Sequence, residues 1–221
     1  MVKNILFDID DTLFPSTEFS ALARRNALNA MLGMGLRSDF AALSRLLDSI
    51  IRREGSNHPG HFDDLCRELK IKEPARYVAA AVAAYHDTKA TIAPFPTAPL
   101  TLLRLREEGR RLYVATSGSA VKQWDKLIRL GIALYFEEVF VTEELGEEKG
   151  ERFYRKIAHT LKAGPRDCMM VGDREDADIV PSRAVGMRTV RMLAGKYADI
   201  PTSADYAIKD VSEILQILQD L

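Results

Sequence analysis

The strongest constraint lies at the start of the chain. Val2 to Ile9 is mostly apolar (Val2, Ile5, Leu6, Phe7, Ile9), with the length and composition of a strand covered on both faces. That strand delivers Asp8, Asp10 and Asp11 almost together. Asp8 and Asp10 are two apart, so an extended backbone would turn both to one side of a sheet. A bare carboxylate at the end of a buried strand is very costly, so this stretch demands a cation, a basic partner or a solvated cleft.

The rest of the chain alternates in a way that can build such a cleft. A helix is expected from Ser16, with Phe19, Leu22, Ala23, Asn26, Ala27, Ala30 and Met31 on one period and Gly33 and Gly35 at its end. A second carries Leu43, Leu46, Leu47, Ile50 and Ile51, and further helices run near Phe62 to Leu69 and Pro74 to Lys89. No strand-like alternation occurs from Ser16 to Ala90, so residues 15–94 read as a helical domain inserted after the first strand. Beyond Pro94, Pro96 and Pro99, apolar strands (Leu112 to Ala115, Val139 to Val141, Cys168 to Val171, Thr189 to Met192, Ala207-Ile208) alternate with helices.

This pattern predicts an α/β fold: a Rossmann-like, doubly wound parallel sheet formed by 1–14 and 95–221, with an inserted all-helical cap domain. In such sheets ligands bind beyond the carboxyl ends of the strands, near the point where strand order reverses. The polar clusters fall there, after Ile9, after Ala115 (Thr116-Ser117-Gly118-Ser119) and after Val171 (Gly172-Asp173).

Composition narrows the partners. The net charge is -1, which gives no reason to expect nucleic acid or an anionic membrane as the main partner. There is neither an apolar run of spanning length nor a signal-peptide pattern at the start. Cys66 and Cys168 lack metal-ligand spacing and read as reduced thiols of a cytoplasmic protein.

Phe7-Asp8-Ile9-Asp10-Asp11-Thr12-Leu13 resembles the first motif of the haloacid dehalogenase-like hydrolases. Thr116 after an apolar strand resembles their second motif, Lys149 is the candidate for the third, and Gly172-Asp173 with Asp178 resembles the acidic fourth. The helical insertion resembles the mobile cap of one subgroup, which implies hinges near Phe14-Pro15 and Ala93-Pro94. Gly55-Ser56-Asn57, His61-Phe62-Asp63, Val121-Lys122-Gln123-Trp124 and Val171-Gly172-Asp173-Arg174 look like an archaeal subgroup acting on glyceraldehyde 3-phosphate. That substrate is implied by the resemblance alone; phosphoglycolate or a sugar phosphate fits the residues equally.

The chemistry follows residue by residue. A carboxylate can attack phosphorus and form an aspartyl phosphate, a role assigned to Asp8. Asp10 would protonate the leaving oxygen and then activate water. Mg²⁺ would separate Asp8 from the anionic substrate, held by Asp8, the Asp10 carbonyl and Asp173, with Asp178 acting through water. Thr116 and the amides of Ser117 and Gly118 would bind phosphoryl oxygens. Lys149 would neutralise the aspartyl phosphate, with Lys122 and Lys156 as alternatives in case the acidic run Glu147-Glu148-Lys149-Gly150-Glu151 is only a solvated face.

Asn57, His58 and His61 are the expected contacts to the rest of a small phosphorylated metabolite, against the reading of an ordinary surface turn. Arg174 and Glu175 are placed at the mouth of the site, and Asp11 is read as a turn residue bonded to its own backbone. A homodimer stays open.

Other classes remain. A dehalogenase needs neither Mg²⁺ nor the second acid, a phosphomutase shares every core motif, and a phospho-aspartate signalling receiver or a silent binding module would pair similar acids without turnover.

Overall fold

The structure, a computed structural model, describes residues 2–55 and 58–221. The chain divides into two compact units, Met1–Thr17 with Ala93–Leu221, and Glu18–Ile92.

In the first unit the described residues form a parallel sheet of six strands: β1 (Asn4–Phe7), β2 (Arg111–Thr116), β3 (Glu138–Val141), β4 (Cys168–Gly172), β5 (Arg188–Met192) and β6 (Tyr206–Ile208). Their order is β3-β2-β1-β4-β5-β6, so the direction of winding reverses between β1 and β4. This is the doubly wound order, and its crevice opens beyond the ends of those two strands. β1 and β4 are buried along their whole length, which is why both read as unbroken apolar runs. Register sets the level of each strand end: Phe7 lies beside Val114 of β2 and Val171 of β4, so Asp8 emerges next to Gly172 and Thr116 ends one residue further on. The Asp8 amide donates to the Val171 carbonyl at 2.9 Å, fixing that level.

The helices, in chain order, are α1 (Ser16–Gly33), α2 (Phe40–Glu54), α3 (His61–Glu68), α4 (Ala75–Lys89), α5 (Ala98–Glu107), α6 (Ala120–Arg129), α7 (Thr142–Leu145), α8 (Glu151–Thr160), α9 (Val180–Val185) and α10 (Glu213–Gln219). On one face of the sheet, Phe153, Tyr154, Ile157 and Ala158 of α8 pack with Leu6, Tyr113, Phe140 and Met170. The short α7 was not anticipated, because Thr142-Glu143-Glu144-Leu145 has no room for a helical period. Nor was the π-helical turn Glu175–Ile179 that precedes α9; such turns often mark functional sites.

The second unit has its own core, in which Ala27, Leu28 and Met31 of α1 meet Leu43, Leu47 and Ile50 of α2, Leu65 of α3 and Tyr77 and Ala81 of α4. Asn26, the polar break in the α1 period, donates to Thr88 Oγ1 at 2.9 Å, so its amide is used inside this unit. Leu22, expected on the buried face, is 45% exposed. Both cysteines are free and buried, and burial pushes the Cys168 thiol up to about 11. No helix among the described residues is long and apolar enough to cross a membrane.

Phe153 is fully buried at the centre of the sheet-facing cluster. Phe153→Ala should therefore cost about 3–5 kcal/mol of unfolding free energy, read from urea denaturation.

Candidate active site

At the switch point three carboxylates converge. Asp8 follows β1, while Asp173 and Asp178 belong to the loop and π-helical turn after β4. One oxygen from each lies within 4.8 Å of the others, and all three residues are buried. Lys149 enters from the loop before α8, donating to Asp8 Oδ1 at 2.7 Å and to Asp178 Oδ1 at 2.5 Å. Its side chain is 5% exposed, so the acidic run that looks solvated in sequence turns this one cation inward.

The electrostatics follow from crowding. Burial opposes charge on Lys149, but Asp178 and Asp8 outweigh it and hold the ammonium above its ordinary range. Asp173 is pushed up by burial and by the charges of Asp8 and Asp178. Asp178 is also raised by burial, with Lys149 opposing. A single lysine therefore leaves the trio short of positive charge, and an all-oxygen donor set lacking a countercharge matches a hard divalent cation such as Mg²⁺.

Local structure holds these groups in place. The Arg174 amide donates to Asp178 Oδ2 at 3.1 Å. Tyr154, from α8, donates to the Ala177 carbonyl at 3.0 Å and lies 3.4 Å from Asp178 Oδ1. Ser182 bonds the Asp178 carbonyl. Gly172 is required, because a Cβ there would overlap the Asp178 carboxylate.

Asp10 departs from the period-two expectation. The strand ends at Phe7, and past that point Asp10 has a partner of its own: Lys126 of α6, at 2.7 and 2.8 Å. Surrounding protein raises the Asp10 carboxyl and Lys126 opposes that shift, while Asp8 and Asp11 reinforce it. The carboxyl is 46% exposed, so solvent tempers the burial contribution. Sequence reasoning missed Lys126. Its only signal was its place four residues after Lys122 on the helix that follows the second motif.

Other expectations need correction. The Gly118 amide is not open to phosphate, because it donates to Thr142 Oγ1 at 3.0 Å, and the Ala120 amide is taken by Glu143 at 2.7 Å. The unanticipated α7 thus occupies one of the two amides assigned to the ligand, that of Gly118. Thr116 is buried at the end of β2, and Ser117 follows it with its carbonyl held by Gln123 at 2.8 Å. Asp11 has a positive φ but bonds Thr17 rather than its own backbone, taking the amide at 2.9 Å and the hydroxyl at 2.5 Å. Glu175 accepts from Thr202 and Ser203. Arg174 pairs with Asp176. Of the alternative lysines, Lys122 is exposed, and Lys156 bonds the Leu145 carbonyl at 2.9 Å.

The expected substrate contacts in the helical unit are also engaged. His58 Nε2 lies 2.9 Å from Asp64, itself bonded to Arg67, and His61 Nε2 lies 2.9 Å from the Gly55 carbonyl. Both histidines serve the local turn. Asn57 lies outside the described residues.

Comparison with known proteins gives the family. The model of the haloacid dehalogenase-like hydrolases matches residues 2–186, and the chain belongs to that family. As an enzyme it is a phosphatase, hydrolysing phosphate esters. It is 44% identical to the glyceraldehyde 3-phosphate phosphatase of Methanopyrus kandleri, over 100% of this chain and 99% of that one. The protein of the same name from Methanocaldococcus jannaschii is 40% identical, again over 100% and 99%. A magnesium-bound HAD-hydrolase from Bacillus subtilis has the same fold, with a TM-score of 0.71 at 20% identity and 99% of both chains covered.

Lys149→Met would leave Asp8 and Asp178 without their buried cation. The expected outcome is a loss of about 3 kcal/mol in metal-free protein, measured by chemical denaturation, with part of it restored when Mg²⁺ is added.

Proposed function

We propose that the protein is a Mg²⁺-dependent phosphatase of small phosphorylated metabolites, with glyceraldehyde 3-phosphate as its substrate. The observation that carries the mechanism is the buried trio Asp8, Asp173 and Asp178 with Lys149 inserted between two of its members. The substrate rests on the full-length relatives that bear that name.

Asp8 attacks phosphorus through a carboxylate oxygen, and the bond from phosphorus to the ester oxygen breaks. Asp10 gives its proton to the departing alkoxide. The same carboxylate then takes a proton from water, whose oxygen attacks the aspartyl phosphate, releasing inorganic phosphate and regenerating Asp8. Lys149 offsets charge on the Asp8 side, and Thr116 with the Ser117 amide binds phosphoryl oxygens. Asp8, the Asp10 carbonyl and Asp173 would hold Mg²⁺, with Asp178 behind them, and when bound it would supply the positive charge that lets an anionic ester approach a carboxylate. Two free, buried thiols are compatible with a cytoplasmic setting.

Phosphate release from glyceraldehyde 3-phosphate should stop on chelation and return with Mg²⁺. Asp8→Asn should abolish it, and undiminished turnover in that variant would sink the mechanism. A screen in which phosphoglycolate is hydrolysed far better than the triose phosphate would overturn the substrate.

Lys126→Met removes the cation that holds Asp10 down. The Asp10 carboxyl should then titrate higher. The water-activating step needs Asp10 ionised, so the acidic limb of the kcat profile should move to higher pH. An unmoved limb would detach Lys126 from the chemistry.

A further inference from the structure

We infer that Arg191 is a positioning residue for the cation site, clamping the Asp173 loop to the segment that follows β5. Arg191 ranks first by volume among the fully buried side chains of the described residues, an unusual place for a permanent charge. Its Nε donates to the Asp173 carbonyl at 3.0 Å. One terminal nitrogen meets Glu175 at 3.0 Å and the Ile200 and Pro201 carbonyls, each at 3.1 Å; the other donates to the Tyr197 carbonyl at 2.6 Å. Four of these five acceptors are backbone carbonyls, so what the guanidinium fixes is the path of the main chain.

Burying an arginine is weak evidence for stability as such, since desolvation cancels much of the attraction to its partners. A well-packed apolar residue would fill the space at lower cost. What an apolar residue cannot do is hold two irregular segments at a set separation, whereas a planar fork with fixed donor directions can. Arg191 stands beside Gly172 in the β4–β5 register, one residue from Asp173. Glu175 completes the clamp from the other side: one oxygen takes Arg191 and Thr202 Oγ1, and the other takes the amide and hydroxyl of Ser203.

The clamped segment reaches the other acidic loop as well. Gly195, with φ +63, lies so close to Asp11 that a Cβ would overlap its carboxylate. Asp11 is the neighbour of Asp10. The contacts therefore run from the Asp173 loop through Arg191 and Tyr197 to Gly195 and Asp11, and the guanidinium sets the spacing of the two acid-bearing loops. Partners that orient metal ligands in this way typically change affinity about 10–100-fold when removed.

The inference rests on the Mg²⁺ site proposed above, and direct binding tests it. Mg²⁺ is titrated calorimetrically into chelator-stripped protein, with Tm recorded for each variant. Wild type should bind and Asp173→Asn should not. Arg191→Lys keeps a charge but loses the fork, and should bind about tenfold more weakly; Arg191→Met should bind more weakly still. Should the Arg191 variants fail to fold, Glu175→Gln, on a side chain 18% exposed, breaks the same clamp and should also weaken binding. Wild-type affinity in a folded Arg191→Lys protein, or in Glu175→Gln where the arginine variants do not fold, overturns the inference whatever happens to Tm, because a merely structural arginine would lower Tm alone. Absence of Mg²⁺ binding by wild type would instead overturn the metal site, and this inference with it.

Discussion

Three buried carboxylates with one buried lysine among them form the constraint on which the rest depends. Like charges at this spacing in a poorly solvated site repel strongly, and an unpaired buried carboxylate is among the costliest groups a fold can carry. Lys149 relieves Asp8 and Asp178 directly but leaves Asp173 without a cation of its own among the described hydrogen bonds and ion pairs. The site is poised for one more positive charge. Strand register sets the level of Asp8, the π-helical turn carries Asp178, and a glycine at 172 leaves room for its carboxylate.

Around this centre, groups with no part in the chemistry consume backbone donors and acceptors so that a few are left for ligand. The short helix α7 takes the Gly118 and Ala120 amides, and Gln123 takes the Ser117 carbonyl. Arg191 and Glu175 tie down the chain behind Asp173. An active site of this kind needs rigid geometry more than local stability, and buried polar networks supply rigidity when nearly every member is satisfied. Asp10 stands apart, half-exposed, with Lys126 as its own counterion. Two carboxylates in the same short motif thereby acquire different environments, as the proposed division into nucleophile and proton carrier requires.

Much of this was legible in the chain. Apolar runs ending in acids or hydroxyls located β1, β2 and β4, and proline and glycine punctuation separated the helical block from the sheet. Other features were invisible for definite reasons. Helix α7 is too short to show a period. Lys126 is one of several lysines on an exposed-looking helix, and only packing reveals which of them meets Asp10. Arg191 reads as a polar interruption in a strand, since a guanidinium that bonds mainly to carbonyls leaves no partner pattern in the sequence. The bonds of His58 to Asp64 and of His61 to the Gly55 carbonyl were not readable either, because a polar turn and a binding loop have the same composition.

The sequence alone determined the class of fold, the order of its motifs and the place of Asp8 at the end of a buried strand, because hydrophobic period and the cost of burying acids are local properties of the chain. Tertiary structure decided which lysine serves which carboxylate, which loop amides stay open, and how the two acidic loops are spaced. Those depend on strand order and register, which bring together residues as far apart as Asp8 and Lys149, and no local pattern encodes a contact across that separation.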